Sequence, residues 1–182
     1  MKKLLPLFLI LLLFTSCATT TATKIPQHFE SFTESFNEGM VVGTFAFENK
    51  KPIYNGYFYH YKAEGDRKLR QHRMLTIRPH QIWKMKYEPD FTDNTKAVYL
   101  FSIKDVGGKY ALTLLRLHSN KGYISVSYEV PLENLDFTIE KGKVKYLGEI
   151  YFNSKKRTVS FSDQKERDLP KFKERFPNLT IE

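Results

Sequence analysis

Hydrophobic and polar residues alternate with a period of two from about residue 39 onward, as in strands with one buried and one exposed face. The segments are rich in Tyr, Phe, Val, Ile and Thr, and turn residues separate them. In chain order they are 39–48, 53–62, 69–78, 81–87, 97–103, 109–118, 123–130, 136–139, 144–152 and 158–161. Short strands at a spacing of about 8–12 residues predict a mainly β fold, an antiparallel sandwich or barrel. The last two segments predict a hairpin that turns at 153–155.

A helical spacing of phenylalanines replaces this alternation at both ends of the β-rich region. Residues 27–37 place Phe side chains at i, i+3 and i+7, which predicts a helix. Near the end of the chain, Asp168 is a candidate N-cap for a short helix with Phe172 and Phe176 on one stripe, and Pro177 would end that helix. We expect both helices to pack against the sheets.

The first seventeen residues have the pattern of an export signal. Lys2 and Lys3 precede an apolar run over 4–14, which is too short to span a membrane but suits a signal peptide. The run ends in Phe14-Thr15-Ser16-Cys17, which resembles the bacterial lipobox. The resemblance implies that a signal peptide of residues 1–16 is removed and that the Cys17 thiol carries a diacylglyceryl group, with a further acyl chain such as palmitate on its amine. Two or more chains give stable membrane anchoring.

The predicted organisation follows from this cleavage. Residues 17–25 would be the lipidated cysteine and a Thr-rich tether, and 26–182 a single β-rich domain. Gram-negative lipoproteins with an acidic residue after the cysteine are retained in the inner membrane. Ala18 stands there instead, so the resemblance implies the outer membrane, with the periplasmic leaflet as the favoured side.

Composition and charge narrow the partners only slightly. The chain of 182 residues has a net charge of +9, but its basic residues are interleaved with acidic ones and form no long run. We therefore expect ordinary solvated faces and no nucleic-acid partner. Cys17 is the one cysteine, which rules out an intramolecular disulfide and, once lipidated, a thiol nucleophile.

No catalytic motif stands out. The chain has no G-x-S-x-G, Walker, G-x-G-x-x-G or H-E-x-x-H pattern, and its five histidines form no close pair. Asp90 and Asp93, in the loop-like stretch 88–94, could bind calcium, but a turn with Asx caps is the favoured interpretation. We therefore expect no metal site and no cofactor, and a protein that is not an enzyme.

The closest approach to a binding site is aromatic. Tyr57, Tyr59 and Tyr61 lie on one face of the strand 53–62, whereas Phe58 and His60 lie on the other. An exposed tyrosine face could stack sugar rings or a peptide. Because one face of a strand with aromatic residues on both sides must be core, the tyrosines are either a binding face or core, and core is favoured for each of them. Trp83 is expected to be core or partly covered.

The chain resembles, chiefly over its last third, the small uncharacterised β-sandwich lipoproteins of Gram-negative bacteria. The resemblance rests on the lipobox, the tyrosine-rich strands, and the segments 142–150 and 168–172. It implies an immunoglobulin- or transthyretin-like fold without catalytic residues. Our first hypothesis is a non-enzymatic envelope lipoprotein that binds a protein or glycan partner. The alternatives are an envelope hydrolase whose site assembles only in three dimensions, and a basic module that docks on anionic lipid or cell-wall polymer.

Overall fold

A computed structural model describes residues 37–48, 54–70, 72–78, 89–120, 123–133 and 135–182. Within these ranges the chain forms ten strands and one helix. They are β1 (Glu38–Glu48), β2 (Gly56–Ala63), β3 (Met74–Ile77), β4 (Phe91–Asp93), β5 (Lys96–Val106), β6 (Gly108–Asn120), β7 (Ser125–Pro131), β8 (Asp136–Ile139), β9 (Val144–Asn153), β10 (Thr158–Ser162) and α1 (Lys165–Arg175).

The strands form two sheets packed face to face. Sheet A has the order β10-β9-β1-β5-β4; sheet B has the order β3-β2-β6-β7, with β8 also paired to β6. The mainly β architecture predicted from the alternation is therefore confirmed as a two-layer sandwich. The prediction of a purely antiparallel sandwich is wrong at one place, because β1 pairs with β9 in the parallel direction.

Strand β1 is buried on both faces, which explains its nearly continuous run of apolar residues. Phe45 and Phe47 point into the core between the two sheets. Met40 and Val42 point the other way, into a second apolar cluster that includes Phe172 of α1. Sheet A is thus the middle layer, with sheet B on one side and α1 on the other.

Two glycines allow β1 and β9 to approach each other at a bulge. The pairing register shifts between Val42 and Gly43, so that Leu147 is the additional residue on β9. A Cβ at Gly43 would lie 2.6 Å from the carbonyl oxygen of Gly148. Gly148 has φ +127°, and a Cβ there would lie 2.5 Å from the Phe161 ring. Any larger residue at 148 would be strained by this φ and would clash with Phe161 of β10.

The terminal elements compare well with the predictions. The hairpin is confirmed: β9 and β10 pair in the antiparallel direction, and Asn153 Oδ1 accepts the backbone N–H groups of Lys155 and Lys156. A C-terminal helix is also confirmed, but it begins at Lys165, so Asp168 lies inside it and is not its cap. The predicted helix 27–37, the segment 81–87 and the domain boundaries near 17 and 26 lie outside the described residues, apart from Asn37.

Candidate functional site

The three tyrosines singled out from the sequence belong to the core. Tyr57, Tyr59 and Tyr61 are 2%, 1% and 6% exposed. Tyr57 stacks on Phe47 with ring centroids 4.9 Å apart, and Tyr59 stacks on Phe45 at 4.2 Å. Burial raises the pKa of each hydroxyl. A binding face made of these tyrosines is therefore contradicted, because the period-two face that they share is the one that closes against sheet A.

A buried polar cluster, the α1 network, joins the helix to the outer face of sheet A. Asp168, fully buried on α1, accepts hydrogen bonds from the Thr44 hydroxyl at 2.7 Å, the Tyr146 hydroxyl at 2.6 Å and Arg167 Nε at 2.8 Å. Arg167 Nη1 lies 2.8 Å from a carboxylate oxygen of Glu149. The network also contains Asp93 and Lys96.

The α1 network sets two cations, Arg167 and Lys96, against the three carboxylates of Asp93, Glu149 and Asp168. Burial lowers the pKa of Arg167, but hydrogen bonds to Asp93, Asp168 and Glu149 outweigh burial, so the net pKa is raised. Burial and the hydrogen bond to Asp168 both raise the pKa of Tyr146. The carboxylates of this network already hold cations and hydroxyls and so fix the position of the helix. We therefore assign the network a structural role.

The aspartates considered for calcium binding are also engaged by α1. Asp90 pairs with Arg175 and accepts the backbone N–H of Leu100 at 2.7 Å. Asp93 accepts Arg167 Nη1 at 2.8 Å. Within the described ranges, no three His, Asp or Glu side chains are grouped as metal ligands would be. The loop thus ties β4 and β5 to the helix.

A second buried ion cluster lies at the edge between the sheets. Arg73, after the loop that follows β2, donates through Nε to Asp105 Oδ2 at 2.7 Å and through Nη2 to Oδ1 at 3.2 Å. Its guanidinium also pairs with Asp66 and lies over the Tyr110 ring. Burial raises the pKa of Asp105, but the hydrogen bonds from Arg73 outweigh it and hold the pKa below its ordinary 3.8.

A polar concavity lies on the outer face of sheet B. We call it the Phe58 groove; its volume is about 440 Å³. Side chains from the neighbouring strands β2, β6 and β7 line it, together with Arg78 just after β3. The described lining residues are Asn55, Gly56, Phe58, Arg78, Arg116, His118, Asn120 and Ser127. They share one face because Phe58 pairs with Arg116, Gly56 with His118, and His118 with Ser127.

A half-buried aromatic ring forms the centre of the Phe58 groove. A Cβ at Gly56 would lie 2.7 Å from Phe58 Cε2, so the missing side chain leaves the space that the ring fills. The Arg78 guanidinium lies 5.8 Å from the ring centroid, within the range of a cation–π contact. The Phe58 ring therefore packs over the backbone of Gly56 and lies beside the Arg78 guanidinium.

The rest of the groove is rich in hydrogen-bonding groups. Arg116 donates through Nε and Nη2 to one oxygen of Glu129, at 3.1 and 2.8 Å. His118 Nδ1 lies 3.3 Å from Ser127 Oγ, and its Nε2 lies 3.4 Å from Ser125 Oγ. These hydroxyls and imidazole nitrogens sit at the surface, where they can exchange these partners for those of a bound molecule.

His60 lies next to the groove on the same face of β2, between Met74 and Leu114 on the adjacent strands. It is buried, and neither ring nitrogen has a hydrogen-bond partner. Burial and the charge of Arg116 lower its pKa below 6.5, although Glu129 opposes them. Folding therefore favours the neutral form of this imidazole over the protonated form.

The alternation of polar and apolar residues on β6 indicates where the groove lies. On β6, Arg116 and His118 alternate with Leu115 and Leu117, so the polar pair must lie on the face opposite the core. Assigning the tyrosines of β2 to the core would have placed Phe58 on that same outer face. The period-two alternation does not predict that β2 pairs with β6, which is what brings these residues together.

Comparisons with known proteins add little to this geometry. No family model and no curated protein matches the chain. Among solved structures, it is similar to a leucine-rich repeat protein from Bacteroides thetaiotaomicron, with 12% identity and a TM-score of 0.35. The match covers 66% of this chain and 14% of that one, and at this TM-score it carries no argument. Within the described ranges, no helix is long and apolar enough to span a membrane; Cys17 and Trp83 lie outside them.

Proposed function

We propose that this protein is a lipid-anchored lipoprotein of the Gram-negative envelope that acts as a non-enzymatic binding module for a glycan. The anchor is proposed from the lipobox-like sequence that ends at Cys17, and the outer membrane, on its periplasmic leaflet, from Ala18. The observation that carries the binding role is the Phe58 groove, in which one aromatic ring is surrounded by hydrogen-bonding side chains. An immunoglobulin- or transthyretin-like fold is the finer proposal for the sandwich.

A glycan suits this lining better than a protein segment does. Protein interfaces are centred on buried apolar or aromatic anchors in apolar pockets. Among the described residues that line the groove, Phe58 supplies the one apolar side chain. A pyranose has a C–H face that packs on an aromatic ring and a rim of hydroxyls that need donors and acceptors. Arginine, histidine, serine and asparagine side chains around a single ring match that distribution.

Binding is favoured over hydrolysis by the surroundings of His118. A serine–histidine site needs a third group that orients the imidazole. Both nitrogens of His118 face serine hydroxyls, and among the described residues no carboxylate contacts its ring. The arrangement is that of polar contacts on a sheet face, which is why we place the hydrolase hypothesis second.

The groove is tested on a glycan array with the full chain and with Phe58→Leu, which keeps an apolar side chain but removes the aromatic face. We expect the wild type to bind a subset of glycans and the variant to lose about threefold to tenfold in affinity for them, as for the loss of one stacking contact. Leu69→Ala, an exposed apolar residue outside the groove, is the matched control. Absence of glycan binding by the wild type, or equal binding by Phe58→Leu, would refute the glycan proposal.

The anchor is tested separately. Cells fed labelled palmitate should incorporate label into the wild type and place it in the outer-membrane fraction, whereas Cys17→Ser should carry no label and leave that fraction. Label on the Cys17→Ser variant, or an unlabelled wild type, contradicts the anchor without affecting the groove.

A further inference from the structure

The charges around the Phe58 groove extend the proposed function, on which this inference rests, to a class of sugar. Arg78 forms no ion pair with any described residue and contacts the Phe58 ring. Arg116 has a carboxylate partner in Glu129, but only two of its five N–H groups are used in that contact. No acidic side chain is among the described residues that line the groove. The described residues at the rim carry two guanidinium groups and one carboxylate, so their net charge is positive.

We infer that the Phe58 groove binds an acidic sugar, with the sugar ring packed on Phe58 and its carboxylate paired with the Arg78 guanidinium. A guanidinium presents a planar fork of donors that matches a carboxylate in a bidentate contact. Arg78 is the first partner because no carboxylate among the described residues competes for it, whereas Arg116 is already partly neutralised by Glu129. The Arg116 guanidinium is the second partner of the sugar carboxylate. Glu129 affects this contact in two ways, because it holds Arg116 in place but repels an anionic ligand.

This arrangement predicts effects of opposite sign at neighbouring residues. Arg78→Ala should weaken the binding of an acidic oligosaccharide about tenfold or more, and Arg78→Lys should restore part of it, because charge returns without the fork. Glu129→Gln should strengthen the same binding several-fold, since a repelling charge is removed. Lys156→Ala, which removes one positive charge from the exposed β9–β10 turn, should change it less than twofold.

The experiment uses the full chain in detergent and titration calorimetry at low salt. The probes are oligogalacturonate and its fully methyl-esterified form, which share the ring and differ in charge. The inference expects tighter binding of the acid, weakening with salt, and little effect of Arg78→Ala on the ester. Where the glycan array identifies a different acidic sugar, that sugar and its carboxyl-reduced form replace the pair.

The outcomes separate this inference from the proposed function. Equal affinity for acid and uncharged form, or an Arg78→Ala variant that loses both equally, overturns the acidic-sugar assignment while leaving a glycan-binding groove. No binding to any glycan overturns both. Binding to vesicles of anionic lipid that depends on Arg78, with none to acidic glycans, would reassign the groove to a membrane surface and also overturns the inference.

Discussion

Removing the Asp168 side chain should destabilise the protein, because this carboxylate makes the hydrogen bonds that join α1 to sheet A. Asp168 is fully buried and accepts hydrogen bonds from Thr44, Tyr146 and Arg167. In Asp168→Ala the two hydroxyls lose their acceptor and Arg167 loses one of three carboxylates. Breaking a buried ion pair by removing one partner costs about 3–5 kcal/mol. Because Arg167 keeps Asp93 and Glu149, we expect a loss of about 3 kcal/mol in the free energy of unfolding.

The measurement is equilibrium urea unfolding at pH 7, followed by circular dichroism and extrapolated linearly to water. Glu174→Ala is the control on the same helix; its carboxylate is 72% exposed and pairs with Lys171, so its removal should cost less than about 0.5 kcal/mol. A double-mutant cycle with Tyr146→Phe tests the cause. Once Asp168 is gone, the orphaned hydroxyl of Tyr146 should no longer contribute, which predicts a coupling of about 1 kcal/mol.

Two results would refute this reasoning. One is an Asp168→Ala protein within about 1 kcal/mol of the wild type, which would mean that water replaces the carboxylate without loss. The other is additive effects of Asp168→Ala and Tyr146→Phe, which would mean that their hydrogen bond contributes nothing. A change in the urea dependence itself would indicate a different unfolded or native state instead.

Three further predictions concern pH and backbone geometry. The pKa of Asp105 is held below 3.8 in the folded protein. The ionised carboxylate therefore stabilises the fold fully above that value, and this contribution is lost as the pH falls through the folded-state pKa. Between about pH 5 and 2, the urea midpoint of Asp105→Asn should fall less steeply than that of the wild type. The pKa of His60 is lowered from 6.5, so the unfolded chain takes up the proton first and stability falls as pH drops below that value. His60→Leu should be at least as stable as the wild type at pH 7.5 and should lack this decline in a thermal melt series; an unchanged decline would assign it to another group. Gly148→Ala should destabilise the protein by about 1–3 kcal/mol, more than Gly65→Ala, whose φ is also positive but whose Cβ would meet nothing within 4 Å; equal urea midpoints for the two variants would rule out the steric part.

The strands were predictable because each depends on local alternation. The structure places β8 at Asp136–Ile139 and starts β9 at Val144, as the pattern predicts. Strand β4 escaped prediction because Phe91–Asp93 is short and is flanked by Asp90 and Asn94, residue types typical of turns. The parallel pairing of β1 with β9 escaped because alternation reports which face is buried and not which strand lies alongside.

The candidate site divides in the same way. Period two correctly put Tyr57, Tyr59 and Tyr61 on one face and Phe58 on the other, but burial had to decide which face was core. The position of Asp168 just before Pro170 predicts a helix cap, whereas its observed partners Thr44 and Tyr146 come from strands distant in sequence. The alternation of residues along one segment does not predict hydrogen-bond partners that come from distant segments of the chain.

The parallel pair at the centre of sheet A has a consequence for the order in which the chain must be assembled. Val41 pairs with Ile103 on one side and with Lys145 on the other. During synthesis, β1 can pair with β5 once the first 106 residues have emerged. Its other edge stays unpaired until β9 has emerged from the C-terminal third of the chain. An apolar strand with an open edge readily pairs with other chains. We therefore expect a nascent chain that stops before β9 to need a chaperone on that edge.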